Sequence, residues 1–254
     1  MATLFVSDLH LSAERKPVTD SFLAFLAGIA REAEGLYILG DLFDRWLGDD
    51  AAQPEDRRVL TALRTLTASG VPLWVMSGNH DFLYSSRFAS ETGCELLPDP
   101  YVLDLYGTKT LLMHGDLLCT NDIPYQNFRK MVRDPAWQAT QLAKPVAARL
   151  EMARELLSLS HIHTAAKDDA TLAVNQDAVE SRLRAYDAQL LIHGHTHRPN
   201  HHCFLLDGKE ALRIVLPDWH MNESTGKTDK ETGYERGGYL RVTAHKRETL
   251  PLTS

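Results

Sequence analysis

Five short apolar runs in this chain lead into the same kind of chemistry. Thr3–Ser7 leads into Asp8-Leu9-His10, and Leu36–Leu39 into Gly40-Asp41, followed by Asp44. Leu73–Met76 leads to Gly78-Asn79-His80-Asp81, and Leu111–Met113 to His114-Gly115-Asp116. Leu190–Ile192 leads to His193-Gly194-His195-Thr196-His197. Apolar runs of this length read as strands. Between them, Thr19–Glu34 (Phe22, Phe25, Leu26, Ile29) and Arg57–Thr67 (Val59, Leu60, Leu63, Leu66) carry apolar residues at helical spacing. Arg213–Leu216 reads as one further strand. The alternation predicts a layered α/β domain with parallel β–α–β units in its first half. Periodicity shows one sheet only. In open α/β sheets, ligands bind beyond the carboxyl ends of the strands. Residues far apart in sequence can therefore converge there.

Taken singly, each of these groups has an ordinary explanation. A His after a strand is usually a hydrogen-bonding residue, and Gly-Asp is usually a turn. Five repeats of the same pattern, four of them with glycine alongside, are hard to attribute to chance. Glycine lets the backbone turn sharply where side chains crowd. The ligand set is Asp, His and Asn without Cys, which excludes structural zinc of the thiolate kind and suits Mn²⁺, Fe²⁺, Zn²⁺ or Co²⁺. The ligands are too many for one ion with an open position. They suit two ions sharing a carboxylate, an arrangement typical of phosphoryl hydrolysis.

Composition removes other classes. The net charge of −7, with 27 Lys+Arg against 34 Asp+Glu, argues against a nucleic-acid partner. No apolar run is long enough to span a membrane, and the opening Met1–Asp8 has no basic stretch of a secretory signal. Cys94, Cys119 and Cys203 are odd in number and widely spaced, as expected of free thiols. The 12 His are the one unusual count.

Residues 121–187 break the strand–helix rhythm and read as a helical insertion divided by Pro124, Pro135 and Pro145. Residues 1–120 and 188–254 form the expected core. Within the insertion, Pro124–Ser160 holds Arg129, Lys130, Arg133, Lys144, Arg149 and Arg154 against Asp134, Glu151 and Glu155, a net +3 within a chain of −7. Phe128, Met131, Val132, Trp137, Leu142, Val146, Leu150, Leu156 and Leu157 are interleaved. The composition fits an ordinary amphipathic helix pair or a cap facing a membrane surface.

These blocks resemble the calcineurin-like metallophosphoesterases. The family pattern D-x-H, G-D-x-x-D, G-N-H-[DE], H-G and G-H-x-H is met in order by Asp8–His10, Gly40–Asp44, Gly78–Asp81, His114-Gly115 and Gly194–His197. The resemblance implies a four-layer α/β/β/α sandwich with a helical insertion as cap. It implies two Mn²⁺ ions, one held by Asp8, His10, Asp41 and His197, the other by Asp41, Asn79, His114 and His195, with Asp41 bridging.

Within that family, longer stretches are similar to the UDP-2,3-diacylglucosamine diphosphatases of lipid A synthesis. They are the opening MATLFVSDLHL, Leu36–Asp44, Met113–Thr120 (MHGDLLCT), Tyr125-Gln126 with Phe128-Arg129, Val174–Gln176 and His193–Pro199 (HGHTHRP). This implies cleavage of a UDP-linked diacyl sugar at the α-phosphorus, giving UMP and a diacylglucosamine 1-phosphate. The insertion would take the acyl chains, and its basic face would meet anionic head groups. The protein would be peripheral on the cytoplasmic face of a bacterial inner membrane, with no obligate protein partner. Substrate contacts carried over are Asn79, His80, Asp122, Ser160, Thr164, Lys167 and His195. Two positions depart from the subfamily: His80 stands where Arg is common, and Thr164 where Asn is common. His80 restores the wider family pattern, in which it protonates the leaving oxygen or stabilises the phosphate. The alternatives are a generic phosphodiesterase or phosphatase of the same family, a scaffold that has lost catalysis, or a nuclease. The complete ligand set disfavours the scaffold, and the acidic charge disfavours the nuclease.

Overall fold

The computed structural model describes residues 2–165, 173–220 and 237–252, with side chains 157–165 outside that description. Two sheets pack face to face. The first has strand order β11-β10-β1-β2-β3-β4, with β1 Thr3–Val6, β2 Gly35–Leu39, β3 Leu73–Met76 and β4 Glu95–Leu97 parallel, and β10 Gly238–Val242 and β11 Arg247–Pro251 antiparallel. The second has order β5-β6-β7-β9-β8, from β5 Tyr101–Leu105, β6 Thr108–Met113, β7 Leu190–His193, β8 Asn200–Leu206 and β9 Lys209–Val215.

The second sheet is hidden from periodicity for a physical reason. Strands buried on both faces read as continuous apolar runs, without alternation. In β1, Leu4 and Val6 enter one core and Phe5 the other. Phe5, Leu39 and Met76 meet Leu112, Ile192 and Ile214 of the second sheet in the inner core. On the outer face of the first sheet lie α1 (Lys16–Ala27), through Phe22, Phe25 and Leu26, and α2 (Pro54–Ala68), through Val59, Leu60, Leu63 and Leu66. The predicted first helix stops at Gly28, and Ile29–Glu32 continues as a 3-10 turn. Helix α2 begins earlier than its apolar spacing indicates, with Pro54 in the first turn and a Gln53–Asp56 capping box. A short α3 (Ser86–Thr92) adds Phe88 to that core.

Residues 121–187 contain α4 (Ile123–Val132), α5 (Pro135–Leu142), α6 (Val146–Ala165) and α7 (Gln176–Tyr186). They divide by packing. Val179 and Leu183 of α7 join Leu111, Met113 and Leu191 on the outer face of the second sheet, so α7 is the fourth layer of the sandwich. Helices α4 to α6 gather at the strand ends.

The expected basic face does not form there. Arg129 and Arg149 are buried, and Arg133 turns inward to the carbonyls of Ser77 and Gly78. The exposed charges of the described segment are Lys130, Lys144 and Arg154 against Asp134, Glu151 and Glu155, which balance. The excess arginines fasten the helices to the core. Arg149 donates to Leu47 O and to Asp50 in the loop after β2.

Candidate metal centre

The carboxyl ends of β1, β2, β3, β6 and β7 meet at one place, and Asp8, His10, Asp41, Asn79, His114, His195 and His197 come together there. His10 Nε2 lies 3.3 Å from His197 Nε2, and His197 Nε2 lies 3.5 Å from Asp8 Oδ1. On the other side, His114 Nε2 and His195 Nδ1 point at Asn79 Oδ1 from 2.8 and 2.9 Å. Asp41 Oδ2 stands between the two groups, 3.7 Å from His10 Nε2 and 3.6 Å from His114 Nε2.

The backbone is strained to achieve this. Among the described residues eight non-glycine positions have positive φ, and five of them are Asp8 (54°), His10 (48°), Asp41 (53°), His195 (68°) and His197 (52°). A left-handed residue costs about 1–2 kcal/mol, and such strain persists only where the surroundings over-determine it. Here the loops hold each other. Asp8 N donates to Gly40 O and His10 N to Asp41 O, while His195 N donates to the Asp8 carboxylate.

Asp81 is the hub of this arrangement, and the sequence reading gave it no role. Its fully buried carboxylate accepts from Gly78 N, Asp41 N, Leu42 N, Phe43 N and Tyr84 Oη, joining the β2 and β3 loops. The acidic fourth position of Gly78–Asp81 was its only signal.

Burial by itself would raise the Asp8 carboxyl, but the hydrogen bond and charge of His197, with His114 and His10, hold it well below the usual range. Burial pushes Asp41 up to about 6 against the pull of His114 and His80. Burial would lower His114, but Asp41, Asp116 and Asp8 with the Leu39 carbonyl together outweigh it and push it up to about 9. Burial and His114 hold His195 down at about 4, and burial with His80 holds His10 well below its ordinary value. Two buried carboxylates thus face imidazoles of which several resist protonation. His114 Nδ1 is already committed to Leu39 O at 2.9 Å, so its Nε2 is the atom aimed inward. Convergent lone pairs of this kind need a proton or a cation, and a divalent cation satisfies several at once. The donor set fits such ions, with Asp8/His10/His197, His10/Asp41/His80 and Asp8/Asp41/His114 as three overlapping clusters.

His80 sits at the rim, its Nδ1 2.8 Å from Asp44 O and its ring edge-on to His10 at 4.7 Å between centroids. Asp122 caps α4 through Tyr125 N and lines the adjoining cavity. The side chains of Ser160, Thr164 and Lys167 lie outside the described residues, as do those of His161 and His163. His193 supports the loop through Gly194 O, and His201 contacts Thr249 away from the centre.

Helix α4 is tied to two ligand loops, which the sequence did not reveal. Arg129 donates to Asp116 (2.8 Å) and Asp99 (2.5 Å), and Asp99 accepts from the backbone N of His114. Tyr125 Oη donates to Asp116 as well. Arg133 holds the Ser77 and Gly78 carbonyls, just before Asn79.

Gly40 shows how tightly the loops are set. Its φ is 93°, and an added Cβ would lie 2.7 Å from Gly78 Cα besides meeting the His114 ring. Gly40→Ala is therefore expected to lower metal-dependent turnover by about 10²-fold, the effect of an ångström-scale misplacement. Gly70 has a similar φ of 94° with nothing nearby, so Gly70→Ala should keep full turnover and lose only about 1 kcal/mol of stability. Equal activities of the two variants would contradict this.

A cavity of about 900 Å³ runs from the cluster beneath the helices. Asn79, His80, His195 and His197 line one part, and Phe82, Phe128, Met152 and Leu156 line another.

The sequence model of the calcineurin-like phosphoesterase family matches residues 1–199. A UDP-2,3-diacylglucosamine hydrolase of Escherichia fergusonii is 47% identical over 227 residues, covering 89% of this chain and 95% of its own. The protein of the same name from Escherichia coli K12 (strain DH10B) shows the same identity and coverage. Among solved structures, an archaeal phosphodiesterase covers 98% of this chain and 100% of its own at 13% identity and a TM-score of 0.43. The match to most of the chain, the strand-end cluster and the two-sheet sandwich together identify the chain as a member of the calcineurin-like phosphoesterase family.

Proposed function

We propose that the chain hydrolyses the diphosphate of UDP-2,3-diacylglucosamine at the α-phosphorus, giving UMP and 2,3-diacylglucosamine 1-phosphate. One observation carries this reading: a single cavity joins the Asp/His cluster to an apolar wall made by α4, α6 and the β3 loop. Phosphate chemistry alone needs the first part and has no use for the second. The relatives of 47% identity bear the name of this activity.

Two Mn²⁺ ions, one among Asp8, His10, Asp41 and His197 and one among Asp41, Asn79, His114 and His195, would supply Lewis acidity at the phosphate and acidify water. His80 is oriented by Asp44 O, which takes its Nδ1–H and leaves Nε2 for the substrate. Burial would lower its pKa, but Asp41, Asp44 and Asp81 raise it, which favours the imidazolium that holds a phosphate or protonates a leaving oxygen. Asn79, Asp122, Ser160, Thr164, Lys167 and His195 complete the substrate contacts. Phe82, Phe128, Met152, Ala153 and Leu156 receive acyl chains, at roughly 0.8 kcal/mol per methylene buried. No helix among the described residues is long and apolar enough to cross a membrane. Peripheral attachment at the inner membrane draws support from exposed Ile123 and Met131 on α4 rather than from basic charge.

Purified protein is incubated with UDP-2,3-diacylglucosamine and with a UDP-sugar lacking acyl chains, each with and without Mn²⁺. UMP release should require Mn²⁺ and favour the acylated substrate by at least about 10²-fold in kcat/KM, or roughly 3 kcal/mol. Equal rates on the two would overturn the lipid assignment and leave a generic phosphodiesterase.

A further inference from the structure

Arg213 lines the same cavity but has no part in the centre described above. It stands on β9, directly opposite His202 of β8 and beside Leu191 of β7, and both Arg213 and His202 face the cavity. Its Nε is buried and has no hydrogen-bond partner among the described residues. Its Nη1 lies 3.3 Å from His193 Nε2. His193 Nδ1 is 2.8 Å from Gly194 O, and a carbonyl can only accept, so His193 carries its proton on Nδ1. Its Nε2 is then a lone pair that receives one N–H from Arg213. Burial raises the nearby Cys119 thiol to about 12, which keeps it neutral. Among the described residues, no carboxylate pairs with Arg213.

The other guanidinium groups of the cavity differ. Arg45 faces Asp44 at 4.0 Å, and Arg198 has another interaction. A half-buried guanidinium whose Nε–H finds no acceptor among the described residues is costly. It is retained at low cost only where an anion completes it, and its planar fork matches phosphate oxygens. Two divalent ions held by the Asp/His cluster would neutralise one phosphate. A diphosphate brings a second, also charged, into the same cavity.

We propose that Arg213, with His202 beside it, receives the second phosphate of a diphosphate substrate whose scissile phosphate lies at the Asp/His cluster. This rests on the diphosphate reading above. Arg213 is in this view a specificity-determining residue. A structural role, fixing the His193 tautomer, would instead affect every substrate alike.

The test uses the Mn²⁺-loaded enzyme with Arg213→Gln and Arg213→Lys, after thermal melts show both to be folded. With UDP-2,3-diacylglucosamine, Arg213→Gln should raise KM about tenfold or more, the loss of one charge-assisted contact. Its turnover of bis(p-nitrophenyl) phosphate, which has no second phosphate, should stay within about twofold of the parent. Arg213→Lys should recover part of the KM. A parallel loss on both substrates, or an unchanged KM, overturns the assignment. A second arm is independent of the lipid reading. UDP should inhibit the aryl-diester reaction more strongly than UMP, and Arg213→Gln should remove that difference. If the parent does not cleave the lipid substrate, the function reading fails while this arm still decides on Arg213. An undiminished preference for UDP in the variant refutes the second-phosphate site.

Discussion

Asp41→Asn is expected to abolish hydrolysis and to remove at least one bound metal ion per chain. Asp41 Oδ2 is the atom common to both halves of the cluster, within 3.7 Å of His10 and 3.6 Å of His114. Asn keeps the shape, and its Oδ1 can still accept from the backbone N of His80. What disappears is a charge at the junction. Several kcal/mol of charge stabilisation correspond to a loss on the order of 10³-fold or more in kcat/KM. Metal analysis of the purified variant provides the second readout. The metal-free protein serves as the control for folding. With its pKa raised to about 6 from 3.8, Asp41 binds its proton more tightly folded than unfolded. Its contribution to stability is therefore lost as pH rises through that window, and at neutral pH its buried charge opposes folding. Metal-free Asp41→Asn should melt no lower than the metal-free parent at neutral pH. Full Mn²⁺-dependent turnover in the variant would refute the bridging role. A lower melting point without metal would show that Asp41 supports the fold itself.

The second large effect lies outside the centre. Arg129→Met leaves Asp99 and Asp116 buried with no guanidinium between them. Burial and the Asp116 charge already raise Asp99; burial would raise Asp116 too, but His114, Arg129, His195 and Arg133 together hold it well below the usual carboxylate range. Removing one partner of such a pair costs about 3–5 kcal/mol, and the melting temperature should fall by on the order of 10 °C in a chain of this size. Activity should fall too, because the same carboxylates reach the backbone of His114 and the hydroxyl of Tyr125. A variant that melts within about 2 °C of the parent would show that the network contributes little.

The sequence reveals the centre well and its supports poorly. Asp8, His10, Asp41, Asn79, His114, His195 and His197 could be read because chemistry of this kind recurs at strand ends. Strands β1, β2, β3, β6 and β7 and the end of β9, expected at Arg213–Leu216, could be read because strands buried on both faces concentrate apolar residues. The edge strands could not. In β8, Asn200–Leu206, polar residues alternate with half-buried ones and leave no apolar run. Helix α7 reads from the sequence as part of the insertion because no strand precedes it, and only its packing on the second sheet sets it apart. Three arginines of the insertion face the core where the composition predicts an outer basic face. Net charge says nothing about which way a guanidinium points, and Arg129, Arg133 and Arg149 point inward. Nor does composition show that five positions of the cluster adopt left-handed backbone, since Asp and His only tolerate it.

The contact between Asp8 and His195 links the first strand of one sheet to the turn after the seventh strand of the other. A ribosome emitting this chain releases Asp8, His10, Asp41, Asn79 and His114 long before His195 and His197 exist. Until His195 emerges, the left-handed turn at Asp8 lacks the backbone donor that holds its carboxylate. Closing so distant a contact is slow and comes late in folding. The strand-end cluster is therefore completed only when the two sheets dock, since a chain without His195 and His197 holds five of its seven residues.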